Sequence, residues 1–166
     1  SARREGPLPT RVQFEITYRC NIHCVHCYTD PFNTPQALRR ELTLDQMLGL
    51  FDQLAEAGVL WMLLTGGEVF LRSDFFEIHR YMKRRGLLLT IFTNGTLITP
   101  RVADLLAEYP PSRVEISLYG ITRKTYEAVT GVPALDRCFE GIRLLSDRGI
   151  KVRLKSVVTK ANYDEF

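Results

Sequence analysis

Thr43-Leu44-Asp45-Gln46-Met47-Leu48-Gly49-Leu50-Phe51-Asp52-Gln53-Leu54-Ala55-Glu56-Ala57-Gly58 runs straight into Val59-Leu60-Trp61-Met62-Leu63-Leu64, and this junction decides the fold. In the first part the apolar residues recur at helical spacing. Thr43, with Gln46 three residues on, has the makings of a capping box, and Gly58 is a stop signal. The second part is apolar without alternation, as expected of a strand covered on both faces of a parallel sheet.

The same cycle extends in both directions. Upstream, Val12-Gln13-Phe14-Glu15-Ile16-Thr17 alternates apolar and polar residues and predicts the first strand. Downstream, Ser73 is expected to cap a helix running to about Arg85, Gly86 to end it, and Leu87 to Thr93 to form the next strand. Thr99-Pro100 starts a further helix to about Glu108, which Pro110-Pro111 breaks. Val114 to Leu118 is the fourth strand, Ala134 to Arg148 a helix closed by Gly149, and Ile150 to Val158 the fifth strand. Asn162, Asp164 and Glu165 look like another helix beginning. Strands separated by helices of this length imply right-handed crossovers and a parallel sheet, and active sites on such sheets lie at the carboxyl ends of the strands. A closed eight-unit barrel takes roughly 250 residues. The reading is therefore an α/β fold, a partial (β/α)6 TIM-like barrel truncated after about five strands. Residues 1–10 are expected to be a flexible lead-in, and residues 11–166 a core domain incomplete at its C-terminal end.

The 166 residues are 45% hydrophobic, 25% charged and 10% aromatic, an ordinary globular composition that argues against disorder. The longest apolar runs, Val59 to Leu64 and Leu87 to Leu89, fall far below the roughly 18 residues of a spanning helix, and no signal-peptide pattern opens the chain. A cytoplasmic protein with no membrane partner is the expectation. The formal charge of +3 comes from 22 Lys plus Arg against 19 Asp plus Glu, scattered along the chain, and implies no nucleic-acid partner. Arg39-Arg40 and Lys83-Arg84-Arg85 read as solvated helix faces.

Three of the four cysteines crowd into Cys20-Asn21-Ile22-His23-Cys24-Val25-His26-Cys27, just past the first strand. Cys138 stands alone in a helix and reads as a core residue. The other strand ends carry Thr65-Gly66-Gly67-Glu68, Asn94-Gly95 and Tyr119-Gly120, so four unusual loops converge on one rim. Three thiolates with His23 or His26 could hold a tetrahedral zinc in a non-catalytic module. Three thiolates can equally hold an iron-sulfur cubane, whether for electron transfer or with one iron left open for a ligand.

Cys20-x3-Cys24-x2-Cys27, taken with Thr65-Gly66-Gly67-Glu68, Thr93-Asn94-Gly95 and Ile116-Ser117-Leu118-Tyr119-Gly120, resembles the radical S-adenosylmethionine (radical SAM) superfamily from Arg11 to the chain's end. The stretch from Ser117 through Thr125 to Pro133 resembles members with a SPASM or twitch-type auxiliary-cluster domain, many of which modify peptides. The resemblance implies that Cys20, Cys24 and Cys27 ligate a 4Fe-4S cluster. The open iron would hold S-adenosylmethionine, and reductive cleavage would give a 5'-deoxyadenosyl radical that abstracts hydrogen from substrate. It further implies that Gly66, Gly67 and Glu68 hold the methionine end of the cofactor, that His26 stacks on the adenine, and that Ser117 and Asn94 bind from the rim. Thr93 and Lys155 would face substrate, with Lys155 needing a partner if buried. The implied partners are a peptide or small-metabolite substrate and an electron donor such as a flavodoxin or ferredoxin. A molybdopterin-precursor-like cyclase is the alternative within the same superfamily. Val69 stands where the family often has Pro, a change expected to alter loop rigidity more than chemistry. The isolated chain is expected to bind a cluster and to turn over poorly, because its last strand leaves an unprotected edge.

Overall fold

A computed structural model describes residues 9–28 and 33–165. The expected lead-in lies outside them up to position 8, while the carbonyl of Thr10 accepts from the N–H groups of both Leu60 and Trp61 at 3.0 Å. The elements are β1 (Arg11–Thr17), α1 (Pro35–Leu38), α2 (Leu44–Glu56), β2 (Trp61–Gly66), α3 (Phe75–Arg84), β3 (Leu88–Thr93), α4 (Pro100–Glu108), β4 (Arg113–Ser117), α5 (Arg123–Thr130), α6 (Leu135–Ser146) and β5 (Val152–Lys155). The five strands form one open sheet in the order β1-β2-β3-β4-β5, every pair parallel. Among the described residues no helix is long and apolar enough to cross a membrane.

The caps explain where most helices begin. At α2, Thr43 Oγ1 accepts from Gln46 N while Gln46 Oε1 accepts from Thr43 N at 2.9 Å, the reciprocal box read from the sequence. At α4, Thr99 accepts from Val102 N, with Pro100 at the first helical position. Met62, Leu64, Leu89, Ile91, Val114 and Ile116 on one face of the sheet pack with Phe51, Ile78, Met82, Leu106 and Leu145 of the helices.

Several expectations are corrected. Between Trp61 and Leu64, β2 is buried on its helix-facing side: Met62 and Leu64 are about fully enclosed, whereas Trp61 and Leu63 are half-buried on the concave side, because an open sheet leaves that face lining a cavity. Ser73 is not the cap of α3. Asp74 occupies the cap position without a capping bond, because its carboxylate is drawn 2.7 Å from Nε of the buried Arg72. That guanidinium also donates to the carbonyls of Ile16 and Leu42, tying β1 to the approach of α2. α5 was not anticipated. Its polar residues hide the period, but Thr122 caps it and Tyr126 and Val129 bury one side. β5 covers only Val152–Lys155, and the segment after Asn162 is a short 3-10 turn, Tyr163–Glu165, whose Glu165 carboxylate accepts from Ile121 N and from Thr122.

Candidate cluster and cofactor site

A cavity of about 620 Å3 opens at the carboxyl ends of the strands, and Cys20, Cys24 and Cys27 line one side of it. The loop carrying them leaves β1 and is held from two directions. From the helix side, His23 N and Val25 N donate to the carbonyls of Thr130 and Val129, at the end of α5, both at 2.9 Å. From the sheet side, Asn21 is locked into a ring with the β3 end: Asn94 Nδ2 donates to Asn21 Oδ1 at 2.9 Å, Asn21 Nδ2 to Thr96 Oγ1 at 2.8 Å, and Thr96 to Asn94 Oδ1. Asn94 Nδ2 also lies 3.9 Å from Cys20 Sγ. An N–H directed at a sulfur stabilises the thiolate.

The donor set suits a multinuclear cation. Burial pushes the Cys24 thiol up to about 12, with the neighbouring Cys20 and Cys27 thiols adding to it, and burial raises Cys20 as well. Thiols this close, in partly dry surroundings, ionise readily only against a positive partner. Among the described residues no three His, Cys, Asp or Glu side chains are gathered around a single point. His23 is exposed, and His26 packs edge-on against Tyr119 with ring centroids 4.5 Å apart. Burial lowers the His26 pKa, which favours the neutral ring.

Across the cavity the two glycines are dictated by backbone crowding. A Cβ on Gly67 would stand 2.2 Å from the Arg19 carbonyl oxygen, and one on Gly66, whose φ is +133°, 2.0 Å from that of Thr17. Gly67 N and Glu68 N donate to those same carbonyls, of Thr17 and Arg19, at 2.8 and 2.7 Å. The pair therefore fastens the β2 loop to the start of the cysteine loop while both glycines line the cavity.

Glu68 departs from its expected contact role. It is wholly buried behind the rim, and its carboxylate accepts from Thr93 Oγ1 at 2.8 and 2.9 Å, from Asn94 N at 2.8 Å and from Phe70 N at 3.2 Å. Burial raises it to about 7 against the pull of those three donors. It braces the ends of β2 and β3. Thr93, expected to face substrate, lines the cavity but spends its hydroxyl on Glu68 and on Gly95 N. Ser117 lines the cavity from β4 with its hydroxyl against that of Tyr119, whose own phenol is raised by burial. Lys155 lies at the end of β5, half-exposed, 2.6 Å from Glu115 Oε2 and 3.9 Å above the Phe92 ring.

Sequence reasoning assigned no role to Glu115 or Asn21, and it placed Tyr119 in a rim loop without its contact to His26. The alternation of β4 marks Glu115 as sharing the face of Ser117, but its buried pairing with β5 needs the register Glu115↔Arg153.

The Radical SAM superfamily model matches residues 14–165. Among curated proteins, the chain is 34% identical over 159 residues to the AdoMet-dependent heme synthase of Methanosarcina barkeri, covering 95% of this chain and 45% of that protein. It is also 34% identical over 168 residues to the subtilosin biosynthesis protein AlbA of Bacillus subtilis, covering 100% of this chain and 37% of that one. The chain thus spans less than half the length of these relatives. Among solved structures, Streptococcus suis SuiB bound to precursor peptide SuiA superposes with a TM-score of 0.82 at 22% identity, covering 95% of this chain and 35% of SuiB, and SuiB bound to S-adenosylmethionine with 0.79.

Proposed function

The chain belongs to the radical SAM superfamily, and we propose that it is the catalytic core of a radical SAM enzyme whose substrate is a peptide. The observation that carries this reading is the convergence, on one cavity, of the Cys20, Cys24 and Cys27 thiols with the Gly66-Gly67 turn facing them. When bound, a 4Fe-4S cluster held by the three cysteines and S-adenosylmethionine supply reductive sulfonium cleavage and a 5'-deoxyadenosyl radical.

The chain's own residues bind, orient and exclude water. The Asn21–Asn94–Thr96 ring fixes where Cys20 sits. Glu68, through Thr93 and Asn94 N, holds the β3 end against the glycine turn. His26, neutral and backed by Tyr119, offers an aromatic face for the adenine, and Ser117 a hydroxyl for the ribose or carboxylate. Lys155 stands on the substrate side. A peptide substrate is supported by the names of two relatives, a bacteriocin biosynthesis protein and SuiB with its precursor peptide. The electron enters from a flavodoxin or ferredoxin, and the protein works in the cytoplasm.

Anaerobic reconstitution with iron and sulfide, reduction by dithionite and assay of 5'-deoxyadenosine test the proposal. Deoxyadenosine formed from S-adenosylmethionine, and lost in Cys24→Ala, supports it. Stoichiometric zinc with no cluster and no product overturns it.

A further inference from the structure

The cavity continues below the rim into a second hollow of about 220 Å3, the two sharing Phe92, Glu115 and Lys155 in their walls. Its charged walls are unbalanced: Arg11, Arg113, Arg153 and Lys155 meet the single carboxylate of Glu115. Glu115 is buried and already engaged three times, by Lys155 at 2.6 Å, Arg113 at 3.2 Å and Arg153 at 3.7 Å. It can neutralise only one of them. Arg113 Nε stands 3.2 Å from Glu115 Oε1, while about a third of its side chain is open to solvent. With one carboxylate among four cations, the hollow keeps a positive excess that an incoming anion would offset. Trp61, Leu63 and Phe92 present an apolar shelf in the same hollow.

We infer that the Arg113–Arg153–Lys155 group around Glu115, beside the Trp61–Phe92 shelf on which Lys155 rests, is a substrate subsite for a carboxylate carried next to an apolar or aromatic body. This rests on the radical SAM reading above and deepens it by naming the substrate's chemistry. Two arginines can grip a carboxylate by paired N–H bonds while Glu115 keeps them splayed and aimed inward. The uneven charge also disfavours a cationic substrate at this depth.

The chain's one tryptophan, Trp61, lies on the shelf and reports occupancy by its fluorescence. Three probes are titrated at low ionic strength, where half-exposed cations are least screened. They are N-acetyl-Phe-Glu-Glu-amide, N-acetyl-Phe-Gln-Gln-amide and N-acetyl-Phe-Gln-Gln with a free C-terminal carboxylate. One charge-assisted contact corresponds to roughly tenfold in affinity, so at least one carboxylate probe should bind about tenfold tighter than the neutral one. Which one does so assigns the subsite to a side-chain or a chain-end carboxylate. Arg113→Gln with Arg153→Gln should abolish the preference, and Arg153→Lys alone, which keeps the charge and loses the fork, should retain part of it. Equal affinities for all three probes, no measurable binding of either carboxylate probe, or a preference that survives the double glutamine variant would overturn the inference. Reconstituting the same preparation separates the two failures: a cluster that still responds to S-adenosylmethionine leaves the family chemistry standing while the subsite falls.

Discussion

Glu68 and Thr93 stand 25 positions apart in sequence, yet the Thr93 hydroxyl is 2.8 and 2.9 Å from the two oxygens of the Glu68 carboxylate, in the protein interior. This contact joins the ends of β2 and β3 directly behind the cofactor rim. It turns an expected ligand-binding acid into the brace that sets the rim's shape.

The brace predicts an unusual stability profile. Glu68 is raised to about 7, so the folded state holds its proton more tightly than the unfolded chain, and this contribution is lost as pH rises from about 4.5 to 7. Buried His79 is lowered to about 4 by desolvation, so its contribution is lost in the opposite direction, as pH falls from about 6.5 to 4. Each shift is on the order of 3 kcal/mol. Across pH 4.5 to 6.5 the two oppose one another. Urea unfolding of the metal-free chain should show stability rising more steeply with pH in Glu68→Gln than in the unsubstituted protein, and falling with pH in His79→Gln. Parallel profiles in all three proteins would refute the assignment.

The glycines separate crowding from helix propensity. Gly67→Ala drives a methyl to 2.2 Å from the Arg19 carbonyl and should cost more than about 2 kcal/mol, with loss of reconstituted iron, because the cysteine loop must shift. Gly49 sits in the middle of α2 with open space around it, and Gly49→Ala should stabilise by up to about 1 kcal/mol. Thermal unfolding and iron content check both.

Thiol reactivity should follow burial. In the metal-free protein at pH 8, iodoacetamide should modify exposed Cys27 first. Cys24, half-buried and raised to about 12, should react roughly tenfold or more slowly, since the thiolate is the nucleophile. Timed alkylation with peptide mapping gives the order. Equal rates at Cys24 and Cys27 would contradict the electrostatics described for the loop.

His26 packs edge-on against Tyr119, and the proposed adenine contact would use it as a flat ring. His26→Phe should keep S-adenosylmethionine affinity within about threefold, and His26→Ala should weaken it roughly tenfold, one stacking contact being lost. Equilibrium dialysis on reconstituted protein distinguishes this from ligation by the imidazole, which Phe could not replace.

The βα alternation was legible because helices and strands bury residues at different periods, and the Thr43 and Thr99 caps were legible because one side chain and its own backbone suffice. The cysteine triplet was visible from its spacing. Helix α5 was not, since Arg123–Thr130 is mostly polar and takes its helicity from burying Tyr126 and Val129. Ser73 misled because the competing demand, a buried Arg72 taking Asp74, comes from distant carbonyls of Ile16 in β1 and Leu42 ahead of α2. Glu68 reads from sequence as a rim acid because its inward turn depends on Thr93 and Asn94 N arriving from β3. Of the cations around Glu115, Arg113 is a neighbour on the same strand, whereas Arg153 and Lys155 arrive only through the β4–β5 register. In each case the missing information is a long-range contact.

The central claim, that three thiols frame a cluster with a site for S-adenosylmethionine beside it, is tested most directly by the electron paramagnetic resonance spectrum of the reduced, reconstituted protein with and without S-adenosylmethionine. The account predicts a 4Fe-4S signal whose g-values move when S-adenosylmethionine is added, with both signal and response lost in Cys24→Ala. A cluster spectrum indifferent to saturating S-adenosylmethionine would contradict it.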